Sequence, residues 1–221
     1  MKRVLVLTVG TGRTGRDIAK GIYFSIRRNP SHLTYFLVSS KTRTGTLPHV
    51  LDMMGVDEGD EALEVNEIHE VNDVEILIEA YSQVFDELIA RGYSPGNIIV
   101  DYTSGTKAMS VALVYAAISK GVETISYVFG RRDDTGRVIP GTEKINLIEP
   151  SAVFSEKRLS QFELLFNEYQ FQGAINTLHE EPVHYNHRDR AMVYKALAEA
   201  YAAWDKFNFE KASETLNNLD L

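Results

Sequence analysis

Short apolar segments alternate with amphipathic ones along the first 150 residues of this 221-residue chain. The apolar segments have the length of strands, and the segments between them carry apolar residues at spacings of three and four, which is typical of helices. This alternation predicts an α/β fold with a doubly wound, mainly parallel sheet of the Rossmann type, because parallel strands need a helical crossover between them. Crossovers are right-handed, so the loops that follow the strands should converge on one edge of the sheet. We predict strands over 3–9, 32–38, 63–70, 97–101, 122–129 and 145–148, and helices over 14–28, 73–91 and 105–119.

The pattern changes near Pro150, where the strand signal disappears and helical periodicity takes over. We therefore predict two domains, an α/β domain over 1–150 and an all-helical domain over 151–221. The small and aromatic residues of 198–207 suit close helix pairing and weakly resemble a tetratricopeptide helix pair, but no register for further repeats is evident. Because the last residues show no clear terminal cap, we expect the chain to be part of a longer protein.

Aromatic residues are concentrated in the helical region. Two interpretations are open: a partner-binding groove, or a core between short helices and the sheet domain. We favour the core, because burying one such ring contributes about 1.5–3 kcal/mol to stability. The residues concerned are Phe162, Phe166, Tyr169, Phe171, Tyr194, Tyr201, Trp204 and Phe207.

Composition excludes several classes of protein. The chain has no cysteine, which excludes a disulfide framework, a thiol nucleophile and a thiolate metal site. The formal net charge of −8 argues against nonspecific binding of long nucleic acid. No apolar run approaches the roughly 20 residues that a membrane span requires. We therefore expect a cytoplasmic protein without a membrane partner.

The charges are unevenly distributed along the sequence. Acidic residues crowd the region 57–79, whereas basic residues gather at the predicted strand ends and in the loops after them. If those loops share one sheet edge, positive potential is focused there despite the acidic total. The alternative is that these basic side chains only keep the loops soluble. They are Arg13, Arg16, Lys41, Arg43, Lys107, Arg131 and Arg132.

The most informative motif is Asp101-Tyr102-Thr103-Ser104-Gly105-Thr106-Lys107-Ala108-Met109, which follows a predicted strand and opens a predicted helix. At such a position the exposed backbone N–H groups and the helix dipole favour an anion. Three hydroxyls, one glycine and one lysine would suit a bound phosphate. The alternative is an ordinary helix cap with a surface lysine.

The loop after the first strand, residues 10–15, satisfies the G-x-G-x-x-G pattern of dinucleotide-binding proteins. That pattern expects a carboxylate at the end of the second strand, where this chain has Ser39-Ser40-Lys41. A basic residue there could suit a 2′-phosphate, so an NADP-dependent oxidoreductase stays an alternative. A Walker NTPase is excluded, because Arg16 and Asp17 stand where lysine and a magnesium-binding hydroxyl are needed.

Two loops that could each bind an anion are predicted on one sheet edge. Such an arrangement suits a ligand with several phosphates better than it suits a dinucleotide. Residues 6–12 together with the motif of 101–109 resemble the CRISPR-associated Rossmann-fold (CARF) family, the sensors of type III CRISPR ancillary effectors. The resemblance covers residues 1–150, and 101–109 is its most specific part. The helical remainder resembles the linker domain that follows CARF in several ribonuclease effectors of that family.

The resemblance implies a homodimer that binds a cyclic oligoadenylate, a tetra- or hexa-adenylate, in type III CRISPR antiviral defence. A ring with two-fold symmetry matches a C2 dimer, in which each subunit supplies the same loops to half of the ring. No cofactor and no metal are implied. The binding signal would pass through the helical domain to an effector beyond residue 221 or in trans. The implied ligand-binding residues are Gly10, Thr11, Gly12, Arg13, Ser39, Ser40, Lys41, Thr103, Ser104, Gly105, Thr106, Lys107 and Met109.

Some members of the resembled family cleave their own ligand without a metal, by aligning a ribose 2′-hydroxyl with the neighbouring phosphate. Here Lys107 could stabilise the developing charge, and Thr11, Ser39 or Ser104 could orient the ribose. Binding without turnover is the equal alternative. We expect Asp101 to cap its loop rather than to contact the ligand, because a carboxylate repels phosphates.

A third hypothesis, besides the sensor and the NADP-dependent oxidoreductase, is a non-enzymatic scaffold that binds a protein partner through its helical repeats. No histidine lies in the predicted site, and no spacing of histidines and carboxylates completes a metal site.

Overall fold

The structure is a computed structural model, and it describes residues 2–12, 14–134, 138–139, 141–178 and 185–219, apart from the side chains of Ser151, Val153 and Tyr185. The chain divides into two compact units, Met1–Glu149 and Pro150–Leu221. Within the described residues, no helix is long and apolar enough to cross a membrane.

The first unit is a six-stranded sheet of order β3-β2-β1-β4-β5-β6, in which all neighbours are parallel except the antiparallel pair β5–β6. The predicted α/β class with a doubly wound, mainly parallel sheet is confirmed, and so is the hairpin that adds the last strand. The strands are β1 (Val4–Thr8), β2 (Leu33–Val38), β3 (Leu63–Glu67), β4 (Ile98–Asp101), β5 (Thr124–Phe129) and β6 (Lys144–Ile148). The helices are α1 (Gly15–Arg28), α2 (Ser40–Gly45), α3 (Leu47–Met54), α4 (Val74–Ala90) and α5 (Lys107–Ser119).

Helices cover both faces of the sheet. One core contains Val4, Val6 and Val100 under α4 and α5, and the other contains Leu5 and Leu7 under α1 and α3. The alternating residues of β1 thus belong to different cores, and the whole strand is buried. This explains why the central strands are continuous apolar runs in the sequence.

The sequence did not predict α2 and α3, which lie between the predicted strands over 32–38 and 63–70, where we predict no helix. Ser39 caps α2 through a capping box in which the N3 partner is Thr42 instead of the usual Glu or Gln. The threonine-rich run 42–46 has weak helix propensity, so the local signal was poor. Packing overrides it, since Leu47 and Leu51 are buried in the core beside α1.

The second unit is helical, as predicted, and contains α6 (Ser151–Asn167), α7 (Phe171–Thr177), α8 (Arg188–Asp205) and α9 (Phe209–Asn217), with a short 3-10 turn at Tyr185–His187. Its core is small and consists of Phe162, Ala174, Ile175 and Ala198. The predicted aromatic core is right for Phe162 and Phe171, which are buried.

The expectation that the other rings of this unit fill the core is wrong for four of them. Tyr169 and Phe207 are 80% and 82% exposed, and Tyr201 and Trp204 are at least half exposed. The reason is that the turns after α6 and α8 place Tyr169 and Phe207 at positive φ, outside the helix faces that pack. The buried positions of α8 are taken by alanines instead, which let the helices approach closely.

Candidate functional site

The loops after β1 and β4 meet at the topological switch point of the sheet. β1 and β4 are neighbours, but α1 packs on one face of the sheet and α5 on the other. The chain therefore diverges from adjacent strand ends to opposite faces and leaves a crevice at the carboxyl edge. Ligands of open α/β sheets bind in this crevice.

The two loops are in direct contact. The amide N–H of Gly10 donates to Ser104 Oγ at 2.8 Å, and the Thr8 hydroxyl donates to the carbonyl oxygen of Ser104. A Cβ on Gly10 would lie 2.6 Å from the amide nitrogen of Gly105, so only glycine permits this approach. Gly105 itself has a φ of +107°, which an L side chain rarely adopts. The structure thus brings Gly10, Ser104 and Gly105 together.

A third loop joins them. The buried hydroxyl of Thr46, between α2 and α3, donates to the carbonyl oxygen of Gly10 at 2.8 Å. Gly10 is therefore held at its N–H by Ser104 and at its C=O by Thr46. We call Thr8, Gly10, Thr46 and Ser104 the loop clasp. Because a buried polar atom without a partner is costly, the clasp fixes the relative positions of three loops.

Beneath the clasp, Asp101 anchors the loop that follows β4. Its carboxylate is 3% exposed and accepts hydrogen bonds from the Ser25 hydroxyl (2.7 Å), the Ser126 hydroxyl (2.8 Å) and the Thr103 N–H (2.9 Å). The amide of Asn29 donates to both serine hydroxyls. The expectation that Asp101 caps its loop is confirmed, and three hydrogen bonds explain how a carboxylate is tolerated there.

Several hydroxyls predicted to bind ligand already hold the backbone. Thr103 Oγ1 accepts from Val128 N–H at 2.8 Å, and Thr106 Oγ1 caps α5 and donates to the Val71 carbonyl at 2.7 Å. The Ser39 hydroxyl caps α2, and Ser104 is 7% exposed. These side chains shape the loops, and whether they also touch a ligand stays a prediction.

Other predicted site residues face solvent. Thr11, Gly12, Ser40, Lys41 and Lys107 are exposed. Met109 is buried beneath the loop, with its Cβ 3.3 Å from the position of a Cβ on Gly105. Arg13 lies outside the described residues.

Helix termini supply positive potential at this edge. Thr14 caps α1 and Thr106 caps α5, so the N-termini of two helices of 14 and 13 residues open beside the clasp. Exposed Arg16, Lys41 and Lys107 follow the strand ends. Arg43, which we had grouped with them, pairs with Glu58 and Glu67 instead. Its charge is neutralised, so it adds little to the potential of the site.

An aromatic pair that the sequence did not indicate lies next to the loop after β4. The rings of Tyr102 and Tyr127 stack with centroids 5.1 Å apart. Burial, with the nearby Tyr127 and Asp101, raises the pKa of the Tyr102 hydroxyl above its ordinary value. Tyr102 therefore stays protonated at neutral pH and is no candidate base.

Thr46, Ser25 and Asn29 were also missed from the sequence. Ser25 and Asn29 are one helical turn apart at the end of an amphipathic helix, and Ser126 interrupts an apolar strand. Polar residues at such core-facing positions are the local signal that could have indicated a buried network. Nothing local indicates Thr46. Within the described residues, no group of acidic and histidine side chains could hold a metal ion.

Comparison with known proteins finds similarity to one family model and to solved structures. Residues 154–221 match the family model of the Csm6 6H domain. The fold matches that of Enterococcus italicus Csm6 bound to cyclic hexa-2'-fluoro-hexa-dAMP, with a TM-score of 0.65 and 15% identity over 94% of this chain. This chain spans 55% of the length of that Csm6 chain. No curated protein sequence matches the chain. The two matches support the resemblance to a CARF-containing ancillary protein of type III CRISPR systems.

Proposed function

We propose that this chain, whose helical unit matches the Csm6 6H domain and whose fold is that of Csm6, is the sensor part of a type III CRISPR ancillary protein. Its ligand is a cyclic oligoadenylate, bound where the loops after β1 and β4 meet. The observation that carries the proposal is the contact of Gly10 with Ser104 and Gly105 at the switch point. The solved Csm6 structure with a cyclic adenylate analogue supports the choice of ligand.

The proposed roles follow from the chemistry of the edge. Phosphates of the ring lie at the N-termini of α1 and α5, where backbone N–H groups point outward. The Lys107 ammonium, exposed at the first position of α5, binds a phosphate oxygen. Thr11 and Gly12 contact the ring from the other loop, and Arg13 follows them in the sequence. Ser39, Ser40 and Lys41 flank a base or ribose.

The proposed homodimer forms through α5. Between Ala108 and Ser119 this helix carries no charged residue, yet Val111 and Tyr115 are 57% and 59% exposed one turn apart. A helix that is apolar on all sides is normally buried. Because α5 begins at the loop after β4, a two-fold axis beside it would bring both copies of that loop to one ring. The signal that ligand has bound then passes through the helical unit to an effector outside this chain's 221 residues or in trans.

The direct test is isothermal titration calorimetry with cyclic tri-, tetra- and hexa-adenylate, and with NADP⁺ for comparison. We expect heat with at least one ring and a stoichiometry of one ring per two chains. Lys107→Ala should weaken binding by about 1.5–3 kcal/mol, the worth of a charge-assisted hydrogen bond. Lys120→Ala, at the opposite end of α5, is the matched control and should bind normally. No heat with any ring from the folded chain would eliminate the proposal.

Slow, metal-independent cleavage of the bound ring belongs to the same proposal. One observation reduces the number of candidate catalytic residues. Within the described part of the chain, the side chains of Thr11 and Lys107 have no hydrogen-bond or ion-pair partner, whereas the Ser39 and Ser104 hydroxyls are engaged. A ribose 2′-hydroxyl would attack the adjacent phosphorus, and the 5′-oxygen would leave to give a 2′,3′-cyclic phosphate. Lys107 would stabilise the developing charge. Chromatography of the ligand after incubation with EDTA separates binding from cleavage.

A further inference from the structure

Strand β5 extends beyond the end of its neighbour β4. The last residues that pair are Asp101 and Ser126, and β5 continues for three more residues. At roughly 3.3 Å per residue, the strand runs about 10 Å past β4 at the carboxyl edge of the sheet. The loop after β4 lies along this extension. The Tyr102 N–H donates to the Ser126 carbonyl oxygen at 3.2 Å, and the Val128 N–H donates to Thr103 Oγ1 at 2.8 Å. The extension of β5 is therefore a side wall of the candidate site.

The stacked rings of Tyr102 and Tyr127 lie on the face of the sheet that carries α5. Successive residues of a strand point to opposite faces. The Ser126 hydroxyl accepts from the side chain of Asn29, at the end of α1, so Ser126 points to the α1 face. Tyr127 therefore points to the α5 face. The Tyr102 ring lies on the same face, because it stacks on Tyr127 with the ring planes 13° apart.

The ring pair also lies beside the first turns of α5. The Ser110 hydroxyl donates to the Tyr102 carbonyl oxygen at 3.4 Å. Ser110 follows Lys107 by three positions, and residues three apart are neighbours on the surface of a helix. Lys107 is exposed, and both tyrosines are partly exposed. A ligand whose phosphate is held by Lys107 therefore has the ring pair within reach of its next groups.

The α5 face of the sheet is accessible next to these rings. Phe129 shares this face with Tyr127, and so does Ile148, which pairs with Ile125. Phe129 and Ile148 are 41% and 40% exposed. Because α4 packs on the other flank of α5, the proposed two-fold axis beside α5 lies toward this accessible face. The ring pair stands at the carboxyl end of the face, where the bound ring of nucleotides would meet the axis.

We propose that Tyr102 and Tyr127, the tyrosine platform, stack with one adenine base of the bound cyclic oligoadenylate. This inference rests on the proposed function and names the group that recognises the base. Aromatic side chains bind unpaired bases by stacking, since every base has a π-face. Lys107 and the helix N-termini would hold the charged phosphates, whereas the platform would hold the apolar face of a base.

The chemistry of the platform is compatible with phosphates nearby. Burial, followed by the effects of Tyr127 and Asp101, raises the pKa of the Tyr102 hydroxyl. The Tyr102 phenol is therefore neutral at physiological pH and does not repel a polyanion.

Calorimetry of the full chain with the cyclic adenylate that it binds tests the platform. Tyr102→Leu and Tyr127→Leu each remove one ring but keep an apolar side chain. Each should raise the dissociation constant about tenfold or more, the effect of losing one stacked base. Tyr102→Phe and Tyr127→Phe keep the rings and should bind normally. The matched control is Tyr93→Leu, which changes a partly exposed tyrosine at the opposite edge of the sheet and should also bind normally.

Two further readouts separate stacking from a structural role of the rings. A stack carries no charge, so its loss should weaken binding equally at all salt concentrations. Lys107→Ala should in addition make the salt dependence less steep. In the unchanged chain, the NMR signals of the adenine ring protons should move upfield on binding, because stacked rings shield them. This measurement needs no variant and stays decisive where a leucine variant fails to fold.

Two kinds of failure are distinguishable. If the unchanged chain binds a cyclic adenylate but the folded leucine variants bind it as tightly, the platform is overturned and the proposed function stands. The platform is also overturned if the phenylalanine variants or Tyr93→Leu lose as much affinity, or if the adenine signals do not move upfield. If no cyclic adenylate binds the unchanged chain, the proposed function fails together with the platform.

Discussion

The two units bury opposite kinds of side chain. In the α/β unit, polar groups such as Asp101, Thr8 and Thr46 are almost fully buried around the strand ends. In the helical unit, alanines occupy the core and large rings such as Trp204 and Phe207 face solvent. Buried polar groups need fixed partners, so they position backbone, which a ligand site requires. Exposed rings gain little free energy from packing, so they contribute little to the stability of the helical unit.

The strongest test of this contrast compares two rings of the helical unit. Phe171→Ala should lower its free energy of unfolding by about 3–5 kcal/mol, because it leaves a cavity in a packed ring cluster. Phe207→Ala should change it by less than about 0.5 kcal/mol, because that ring is 82% exposed. Urea unfolding followed by the emission of Trp204 measures both. Equal losses of unfolding free energy in the two variants would show that the exposure of a ring does not determine its contribution to stability.

The buried polar network of the α/β unit can be broken at its centre. Asp101→Ala should destabilise this unit by about 2–3 kcal/mol, because the hydroxyls of Ser25 and Ser126 and the Thr103 N–H lose their acceptor. Hydrogen exchange of amides in β4 and β5 should accelerate accordingly. Asp101→Asn keeps one carbonyl oxygen and should cost less. Equal destabilisation by Asp101→Ala and Asp101→Asn would contradict the prediction, because it would show that the hydrogen bonds to Asp101 do not stabilise the unit.

The clasp predicts a sharp difference between two glycines. Gly10→Ala should destabilise the α/β unit by about 1–3 kcal/mol and abolish ligand binding, since the new methyl group would overlap the Gly105 amide. Gly21→Ala, in the middle of α1 with no atom within 4 Å of its Cβ position, should instead stabilise it by about 0.5–1 kcal/mol. Thermal unfolding by circular dichroism measures both variants. Normal binding by Gly10→Ala would show that the loops need not touch.

The smallest expected effect concerns acid and an exposed cluster on α6 and α8. Hydrogen bonds from Tyr194 and Arg190 hold the pKa of Glu163 below its ordinary value of 4.5. A carboxylate with a lowered pKa stabilises the fold fully above that ordinary value, and the contribution is lost as the pH falls through the lower one. The stability of the helical unit should therefore decline below about pH 4.5, and Glu163→Gln should flatten the decline. If stability declines with falling pH as steeply in Glu163→Gln as in the unchanged chain, Glu163 does not contribute to the acid sensitivity of the helical unit.

Prediction from sequence succeeded where the signal was local and failed where packing decided. Each predicted strand and helix of residues 1–150 is present, because strand and helix periods are properties of neighbouring residues. The helix α2 was missed because its sequence, with two threonines and a glycine, is a weak helix former, and α3 was missed because its eight residues gave too short a periodic signal; burial of Leu47, Val50 and Leu51 in the core stabilises α3. The exposed rings were assigned to a core because sequence alone does not reveal which helix faces find a neighbour.

By itself, the sequence determined the layered α/β architecture, the helical nature of the second unit and the two glycine-containing loops at strand ends. Period, strand length and turn composition act over a few residues, so they can be recognised without coordinates. Only the tertiary structure decided that the Ser104 hydroxyl meets the Gly10 amide, that Thr46 completes the clasp and that Trp204 remains uncovered. Those outcomes depend on contacts between residues far apart in the chain, and only the packing of the elements sets such contacts.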